Sequence, residues 1–414
     1  MKKPTLKKRL TFDPEESRSY VKIMLISGIL LLAATLILLT VVKNAVEVEP
    51  GWYSVDSAER EDFPLYDSGI HFTYYFDGDS TAIRTEQKKL AASYSKKLLA
   101  IRKLLDPKNA YGDLVNLAWL NAHPNQTATL DETLFDILRD AAAANETGPY
   151  AGALWSEWQT MIVSADAAAY DPLVDPDARA RIRELADAAN APGAAMLELD
   201  ETNHTACLRL SEDYLAAAEA GEYGPALDLG YLTEAYALLY VRAELEAEGW
   251  KTGYFTTDSG ISLAMSAVPS GDFILPGLEG ETPVRLCATQ MAPGSAACAL
   301  RTFAAAADEP GYYTVETAAG TARRHPNLSV KTGEVCDDLL CVWAVSEGGD
   351  LIAACKSAYA AVTRPGLKPA DLAADPDLLT ACVFAAEPFT VYVDAAHAAA
   401  IVFVSEADFR LATY

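Results

Sequence analysis

The spacing of apolar residues changes along the chain and predicts two kinds of secondary structure. From 82 to 105, apolar residues recur every three or four positions, which places them on one face of a helix. The same spacing predicts helices at 132–144, 150–163, 176–191, 231–248, 350–361 and 371–386. A period of two predicts strands in "IHFTYYF" at 70–76, in a hairpin within 195–210 and in several segments after 250. This mixture, without an internal repeat of about 20 to 50 residues, favours one large domain of the α/β class (mixed α+β).

The N-terminal region differs from the rest of the chain. Residues 23–42 carry no charge, and a segment of this length spans a bilayer as one helix. Lys43 and Asn44 follow without a small-residue cleavage site, so we interpret the segment as an uncleaved transmembrane anchor. Positive residues precede the span and only Lys43 closes it, which predicts a cytoplasmic N-terminus at 1–22. Residues 43–68 are then a linker, and 69–414 form an extracytoplasmic domain at the cell membrane.

The charge of the chain limits its partners. There are 33 Lys and Arg residues against 58 Asp and Glu residues, which gives a formal net charge of −25. Such an acidic surface repels the phosphates of nucleic acids, so we expect no nucleic acid partner. Contact with the membrane is expected only through the N-terminal helix.

Cysteine and histidine spacing does not indicate a metal centre. The seven cysteines include no C-x-x-C pair, and the five histidines are scattered without the spacing of zinc ligands. Cys336 and Cys341 flank "DDLL" and could form a disulfide in an oxidising compartment. Buried free thiols are an equally open interpretation.

The segment "DLGYLTEAYALLY" at 228–240 places an acid and a glycine directly before a helix. The free N–H groups of a helix N-terminus and the positive end of its dipole favour an anion such as phosphate. Asp228 and Gly230 fit that arrangement, although Glu234 then puts a negative charge in the first turn. A glycine before a helix is more often only a turn.

The order of several short motifs resembles that of the ApbE family, the FAD:protein FMN transferases. "DLGYLTEAYAL" resembles the family's DLGGIAKGYAVD, "AAYDPLV" at 168–174 resembles GAFDPT, and "YFTTDSGIS" occupies the place of a strand with a Gly-Gly turn. "TVETAAG" stands where the family has TSG, "HPNLSVKTG" at 325–333 is similar to HIIDPKTG, and "GGDLIAACKSAY" to the ADALSTAL helix start. The resemblance covers about 69–414. It implies that Mg²⁺ is used to split FAD and that FMN is placed on a threonine of an extracytoplasmic flavoprotein acceptor.

The resemblance also implies site residues at the matching positions. Those implied to bind the flavin nucleotide are Asp171, Asp228, Gly230, Tyr236, Gly260, Lys331, Thr332 and Gly333. Asp350 matches the metal-binding aspartate and is a candidate catalytic residue. Glu234 is the second candidate catalytic residue, because its carboxylate could help to hold a metal ion.

Four positions depart from the family pattern, and all four concern phosphate or metal. Glu234 replaces the motif lysine, and the others are Ala319 for the serine of TSG, Ser329 for the aspartate of DPKTG and Ala354 for a metal-binding threonine. Two unit charges about 4 Å apart interact by roughly 4 kcal/mol near a protein surface. Glu234 should therefore weaken FAD binding unless a cation intervenes.

Two functions follow from these observations. The first is a membrane-anchored FAD:protein FMN transferase, and the second is a catalytically degenerate protein that binds flavin or another protein at the cell surface. Structural roles also fit the individual residues. Glu234 suits the first turn of any helix and Asp350 suits an N-cap, while Asp171 suits a turn before proline and Tyr236 a packed core.

Overall fold

The computed structural model describes residues 28–33, 35, 48–57, 69–143, 148–267, 271–279, 281–318, 320–372, 375, 377–385, 390–404 and 409–414. Contacts divide the chain into two units. The smaller unit contains the described residues of 1–51 and 76–86, and the larger contains those of 52–75 and 87–414. Every residue of the candidate site belongs to the larger unit.

Most of the helices lie in the first 250 residues, as the apolar spacing predicts. Their bounds are α1 Ser80–Leu104, α2 Leu117–Ala122, α3 Glu132–Ala143, α4 Gly152–Ile162, α5 Pro176–Asn190, α6 Glu212–Ala220, α7 Thr233–Ala247 and α8 Leu351–Val362. Local chemistry explains where they begin. Asp175 accepts hydrogen bonds from the N–H groups of Asp177 and Ala178, and Pro176 occupies the first turn of α5, where its missing N–H costs nothing.

The strands lie mainly in the second half of the chain. Their bounds are β1 Gly51–Ser54, β2 Ile70–Phe76, β3 Thr127–Thr129, β4 Ala195–Asp200, β5 Thr205–Leu210, β6 Gly253–Thr257, β7 Ile261–Ala264, β8 Asp272–Glu279, β9 Thr282–Gln290, β10 Ala296–Arg301, β11 Tyr313–Thr317, β12 Gly320–Arg324, β13 Leu339–Ser346, β14 Leu379–Phe384, β15 Thr390–Val393, β16 Val402–Phe403 and β17 Arg410–Thr413. Nine of them form one sheet in the order β1-β2-β6-β7-β10-β13-β14-β15-β17. The chain therefore has a mixed α+β fold, as the sequence predicts.

The middle of the large sheet is covered on both faces. All residues of β13 and β14 are buried, whereas a strand with one wet face would alternate buried and exposed positions. Helix α8 contacts β10 and β13, and β8 of the hairpin β8–β9 contacts the same two strands. Since side chains along β10 alternate between faces, Cys298 and Leu300 line one cavity and Ala297, Ala299 and Arg301 line another.

Two sequence predictions of secondary structure need correction. The helix predicted at 371–386 is wrong, because Leu379–Phe384 within it is strand β14 between β13 and β15. The segment at 43–68 is not entirely a linker, because Gly51–Ser54 forms an edge strand of the large sheet. Next to it, the Val55 N–H bonds the Phe72 carbonyl at 2.8 Å, and the Trp52 ring lies 5.6 Å from that of Tyr254. Pairing with neighbouring strands decides the conformation of both segments.

The predicted membrane span at 23–42 lies largely outside the described residues. Residues 28–33 and 35 are helical. Among the helices that the structure describes, none combines the length and the apolar character needed to cross a bilayer.

Candidate functional site

The turn before α7 has the conformation that its glycine predicts. Gly230 adopts a φ of +56°, and a Cβ at this position would lie 2.5 Å from Trp155 Nε1. The Gly230 N–H donates to Asp228 Oδ1 at 2.8 Å, and the Asp228 N–H donates to the Pro149 carbonyl at 2.9 Å. A side chain at position 230 would meet both a backbone strain and a clash, so the turn requires glycine. Because the Gly230 N–H already donates to Asp228, it is not available to donate to an anion.

This turn and the first turn of α7 open onto a cavity of about 370 Å³, which we call the Glu234 cavity. Its lining combines cations, carboxylates, hydroxyls, amides and aromatic rings. The lining residues are Arg102, Lys108, Trp155, Ser156, Gln159, Asp228, Gly230, Tyr231, Thr233, Glu234, Ser259, Ile261, Cys298, Leu300, Pro326 and Asn327. Asp228, Gly230 and Glu234, three candidates from the sequence, therefore lie at one site.

Two carboxylates of the cavity, Asp228 and Glu234, are half-buried, and each is opposed by the charge of one cation. Burial raises the pKa of Glu234, against the opposing effects of a hydrogen bond from the Ser259 hydroxyl and of the Arg102 charge. Burial also raises the pKa of Asp228, against the Gly230 N–H and the Lys108 charge. Each acid is thus more readily protonated than an exposed one, which lowers the negative charge that an anionic ligand would meet.

Lys331 and Thr332 lie at a neighbouring cavity of about 580 Å³. Lys356 and Arg364 line it as well, and Tyr231 belongs to the lining of both cavities. The ring of Tyr231 stacks on that of Tyr359 with centroids 3.9 Å apart and planes at 6°. This aromatic pair places the second cavity beside the first.

Gly333 follows these two residues and is required by packing. Its φ is +70°, and a Cβ there would lie 2.6 Å from Ile182 Cγ2. The glycine keeps the 331–333 turn close to α5, which explains the residue without a ligand.

Asp171 lies outside both cavities, in a buried ion pair. Its Oδ2 accepts hydrogen bonds from Arg324 Nε at 2.7 Å and from the Tyr313 hydroxyl at 2.8 Å, and its Oδ1 accepts the Leu173 N–H at 2.8 Å. The side chain of Asp171 is 0% exposed and that of Arg324 is 4% exposed. The carboxylate is therefore satisfied by the protein itself.

Tyr236 and Gly260 are also placed away from the Glu234 cavity. The Tyr236 hydroxyl donates to Asp140 Oδ2 at 2.6 Å, and its side chain is buried in the core. Gly260 lines a third cavity of about 550 Å³ on the opposite face of the large sheet, towards β8. Its φ is +95°, and a Cβ there would lie 1.8 Å from the Ala299 carbonyl oxygen.

Asp350 caps helix α8. Its Oδ1 accepts the Ala353 N–H at 2.9 Å, the side chain is exposed, and it lines none of the three cavities above. Ala354, at the position of the implied metal-binding threonine, is fully buried. Within the described part of the chain, no group of three His, Cys, Asp or Glu side chains could hold a metal ion. Ala319 lies outside the described residues. Asp350 and Ala354, the two implied ligand positions, therefore do not form a Mg²⁺ site.

Sequence reasoning missed the two cations of the cavity. Arg102 lies in the last turn of α1, and Lys108 follows in the next loop. The run "RKLLDPK" at 102–108 was a visible signal, because it is basic in an acidic chain. The sequence does not show that these side chains face the cavity, since basic residues are common at helix C-termini for other reasons.

The chain is similar to solved structures of ApbE proteins. No protein-family model and no curated protein matches the chain. The ApbE protein of Thermotoga maritima is 14% identical, with a TM-score of 0.58 over 84% of this chain and 99% of that one. The Vibrio cholerae flavin transferase ApbE is 12% identical, with a TM-score of 0.48 over 84% and 97% of the two chains. The Pseudomonas stutzeri flavinyl transferase ApbE is 13% identical, with a TM-score of 0.46 over 82% and 91%.

The Thermotoga maritima match confirms the fold predicted from the motif order. The chain has the ApbE fold over most of its length, as a divergent example at 14% identity. At this low identity the match shows the fold alone, and the activity has to be argued from the residues of the site.

Proposed function

We propose that the chain is an ApbE-like flavin transferase, which binds FAD in the Glu234 cavity and moves FMN to a threonine hydroxyl of a protein acceptor. One observation carries the proposal. The motif turn at 228–230 and the first turn of α7 open together onto a cavity that also holds two cations and two aromatic rings. Its volume lies within the range of small-molecule sites, about 300–1,000 Å³.

The chemistry of the lining supports a flavin nucleotide. Trp155 and Tyr231 provide ring faces, and their centroids lie 6.2 Å apart. Gln159 and Asn327 provide amide groups that both donate and accept hydrogen bonds, as a flavin ring requires. Arg102 and Lys108 offset the charge of a diphosphate.

The proposed reaction joins the threonine oxygen to the phosphorus of the FMN half of FAD. The bond from that phosphorus to the bridging oxygen breaks, and AMP leaves with the electron pair. Glu234 is the side chain that we assign to receive the proton of the attacking hydroxyl, since a carboxylate with a raised pKa suits a general base near neutral pH. We assign no step to a metal ion, because the implied ligand positions Asp350 and Ala354 line none of the three cavities.

Anchoring in the membrane is part of the same proposal. The uncharged segment at 23–42 supports it, and so do the exposed side chains of Ile29, Leu30, Leu31 and Leu32, each at least 59% accessible. The acceptor would then be an extracytoplasmic flavoprotein. Reporter fusions at residue 22 and at residue 414 test this topology, and reporters active on the same side of the membrane would reject it.

A catalytically degenerate flavin-binding protein is the second candidate. The exposed position of Asp350 at the start of α8 favours it, because the implied metal ligand points to no cavity described above. In that case the Glu234 cavity binds flavin without transfer.

One experiment separates these functions. The full-length chain in mild detergent is incubated with FAD, with and without Mg²⁺, together with an acceptor domain that an active flavin transferase modifies. A fluorescent acceptor band that disappears when the acceptor threonine is changed to alanine supports transfer. FAD binding without such a band supports the degenerate protein, and the absence of both rejects the site.

A further inference from the structure

In the Glu234 cavity the motif at 228–238 supplies only negative charges, and the positive ones come from elsewhere in the chain. Position 234 carries a carboxylate, and Asp228 adds a second one. All positive side chains of the lining come from the end of α1 and the loop after it, as Arg102 and Lys108. The two pairs of opposite charge belong to segments more than 100 residues apart in sequence.

The loop that carries Lys108 is held in place by hydrogen bonds. Asp106 Oδ1 accepts the N–H groups of Lys108 at 2.8 Å and of Asn109 at 2.9 Å, and Asp106 Oδ2 accepts the Tyr111 hydroxyl at 2.6 Å. These bonds close a tight turn at 106–109. Lys108 itself is exposed, so its ammonium group can reach a ligand at the cavity without breaking contacts inside the protein.

The same loop is fastened to the turn at Asp228 through one amide. Asn121 Nδ2 donates to the Pro107 carbonyl at 3.1 Å and to the Leu227 carbonyl at 2.8 Å, and its Oδ1 accepts the Leu227 N–H at 2.8 Å. The Asn121 side chain therefore links Pro107, next to Lys108, to Leu227, next to Asp228. A site fixed in this way needs little reorganisation when an anion binds.

We infer that Arg102 and Lys108 are the phosphate-binding residues of this cavity and hold the diphosphate of the bound nucleotide. The inference rests on the proposed function for the identity of the nucleotide. A planar guanidinium can donate two parallel hydrogen bonds to one phosphate, and the ammonium group adds a point charge beside it. Glu234 then does not bind the diphosphate. Its negative charge lies beside the diphosphate and is balanced by the positive charge of Arg102.

Lys103 provides a matched control. It is the neighbour of Arg102 in the last turn of α1, but its ammonium group lies 5.1 Å from the centre of the Tyr111 ring and it does not line the cavity. If a cation at this helix end served only the helix dipole, Lys103 and Arg102 would be equivalent.

The test measures the Kd of three probes for the full-length chain in detergent. FAD has both flavin and diphosphate, ADP has the diphosphate alone, and riboflavin has the flavin alone. Arg102→Gln and Lys108→Gln should each weaken FAD and ADP by about tenfold or more, and riboflavin by no more than about twofold. Lys103→Gln should leave all three within about twofold. The melting temperature of each variant checks folding, and exposed Lys108 provides the variant with the least structural risk.

Each outcome decides a separate claim. Unchanged FAD and ADP binding in both variants overturns the inference and leaves the proposed function in place. Equal loss of riboflavin also overturns it, since the effect is then structural. If the wild-type chain binds ADP with this dependence but not FAD, the proposed function fails and the inference holds. If it binds neither probe, both fail.

Discussion

The Glu234 carboxylate accepts a hydrogen bond from the Ser259 hydroxyl, and this contact joins the first turn of α7 to the turn between β6 and β7. Ser259 in turn shares a hydrogen bond of 2.7 Å with the Thr257 hydroxyl. The acid at the position of the motif lysine is therefore half-buried and part of a polar network at the cavity. Its protonation state affects both the charge of the site and the stability of the fold.

Glu234→Gln should change stability in a pH-dependent way. Burial raises the pKa of Glu234 above its ordinary value of 4.5, so the folded state holds this proton more tightly than the unfolded state. Its contribution is complete below pH 4.5 and is lost as pH rises through the raised pKa. The free energy of unfolding of the variant relative to wild type should thus increase with pH from 4.5 to 8, as measured by urea unfolding.

Glu248→Gln is the control with the opposite sign. A hydrogen bond from Ser93 and the charge of Lys97 lower the pKa of Glu248 below 4.5. Its contribution is present above pH 4.5 and is lost only as pH falls through the lowered pKa. The difference from wild type should therefore stay constant from pH 5 to 8. A constant difference for Glu234→Gln as well would contradict the raised pKa of Glu234.

Asp171→Asn should destabilise the protein strongly. It leaves the Arg324 guanidinium, which is 4% exposed, as a buried charge without its carboxylate partner. Breaking a buried pair in this way costs about 3–5 kcal/mol. Glu198→Gln is the control, because Glu198 meets Arg209 at the same 2.7 Å on the surface. That variant should show no measurable change in urea unfolding. A similarly small effect of Asp171→Asn would contradict a stabilising role for the Asp171–Arg324 pair.

The sequence predicted those elements whose signal is local. The turn of Gly230, the cap of α8 at Asp350 and the strand at 70–76 all follow from residues next to one another. The strand β14 was mistaken for a helix because "LTACVF" is buried on both faces and lacks alternation. Arg102 and Lys108 were missed because only the tertiary fold brings them to Glu234. Local patterns carry no information about such long-range neighbours.

Native thiol reactivity should be negligible. Residues 207, 287, 298, 336, 341, 355 and 382 are the seven cysteines, and all are buried and free. Burial raises the pKa of Cys336 to about 11, so little thiolate is present at pH 8. Ellman's reagent should find no rapidly reacting thiol in the native chain and seven after unfolding. Five after unfolding would indicate a disulfide, such as the Cys336–Cys341 bridge that the sequence left open.

Gly260→Ala should be far more damaging than Gly249→Ala. The two glycines have nearly the same φ, +95° and +96°, so both variants carry the same backbone strain, about 1 kcal/mol. At Gly260 the new Cβ also meets the Ala299 carbonyl oxygen at 1.8 Å, whereas at Gly249 nothing lies within 4 Å. We expect a loss of about 3 kcal/mol for Gly260→Ala in urea unfolding. Equal losses would show that β10 can move away from the turn.

Two substitutions at Asp350 separate its two roles. As an N-cap of α8 it accepts the Ala353 N–H, a contact that asparagine preserves and alanine removes. Asp350→Ala should therefore cost about 1 kcal/mol in urea unfolding, and Asp350→Asn only a few tenths. Asparagine lacks the charge that a Mg²⁺ ligand needs. We expect Asp350→Asn to keep flavin transfer, since Asp350 lines none of the three cavities. Loss of transfer in a stably folded Asp350→Asn would contradict this and show that the negative charge itself is needed. If Asp350→Asn retains transfer, the cap is its whole contribution.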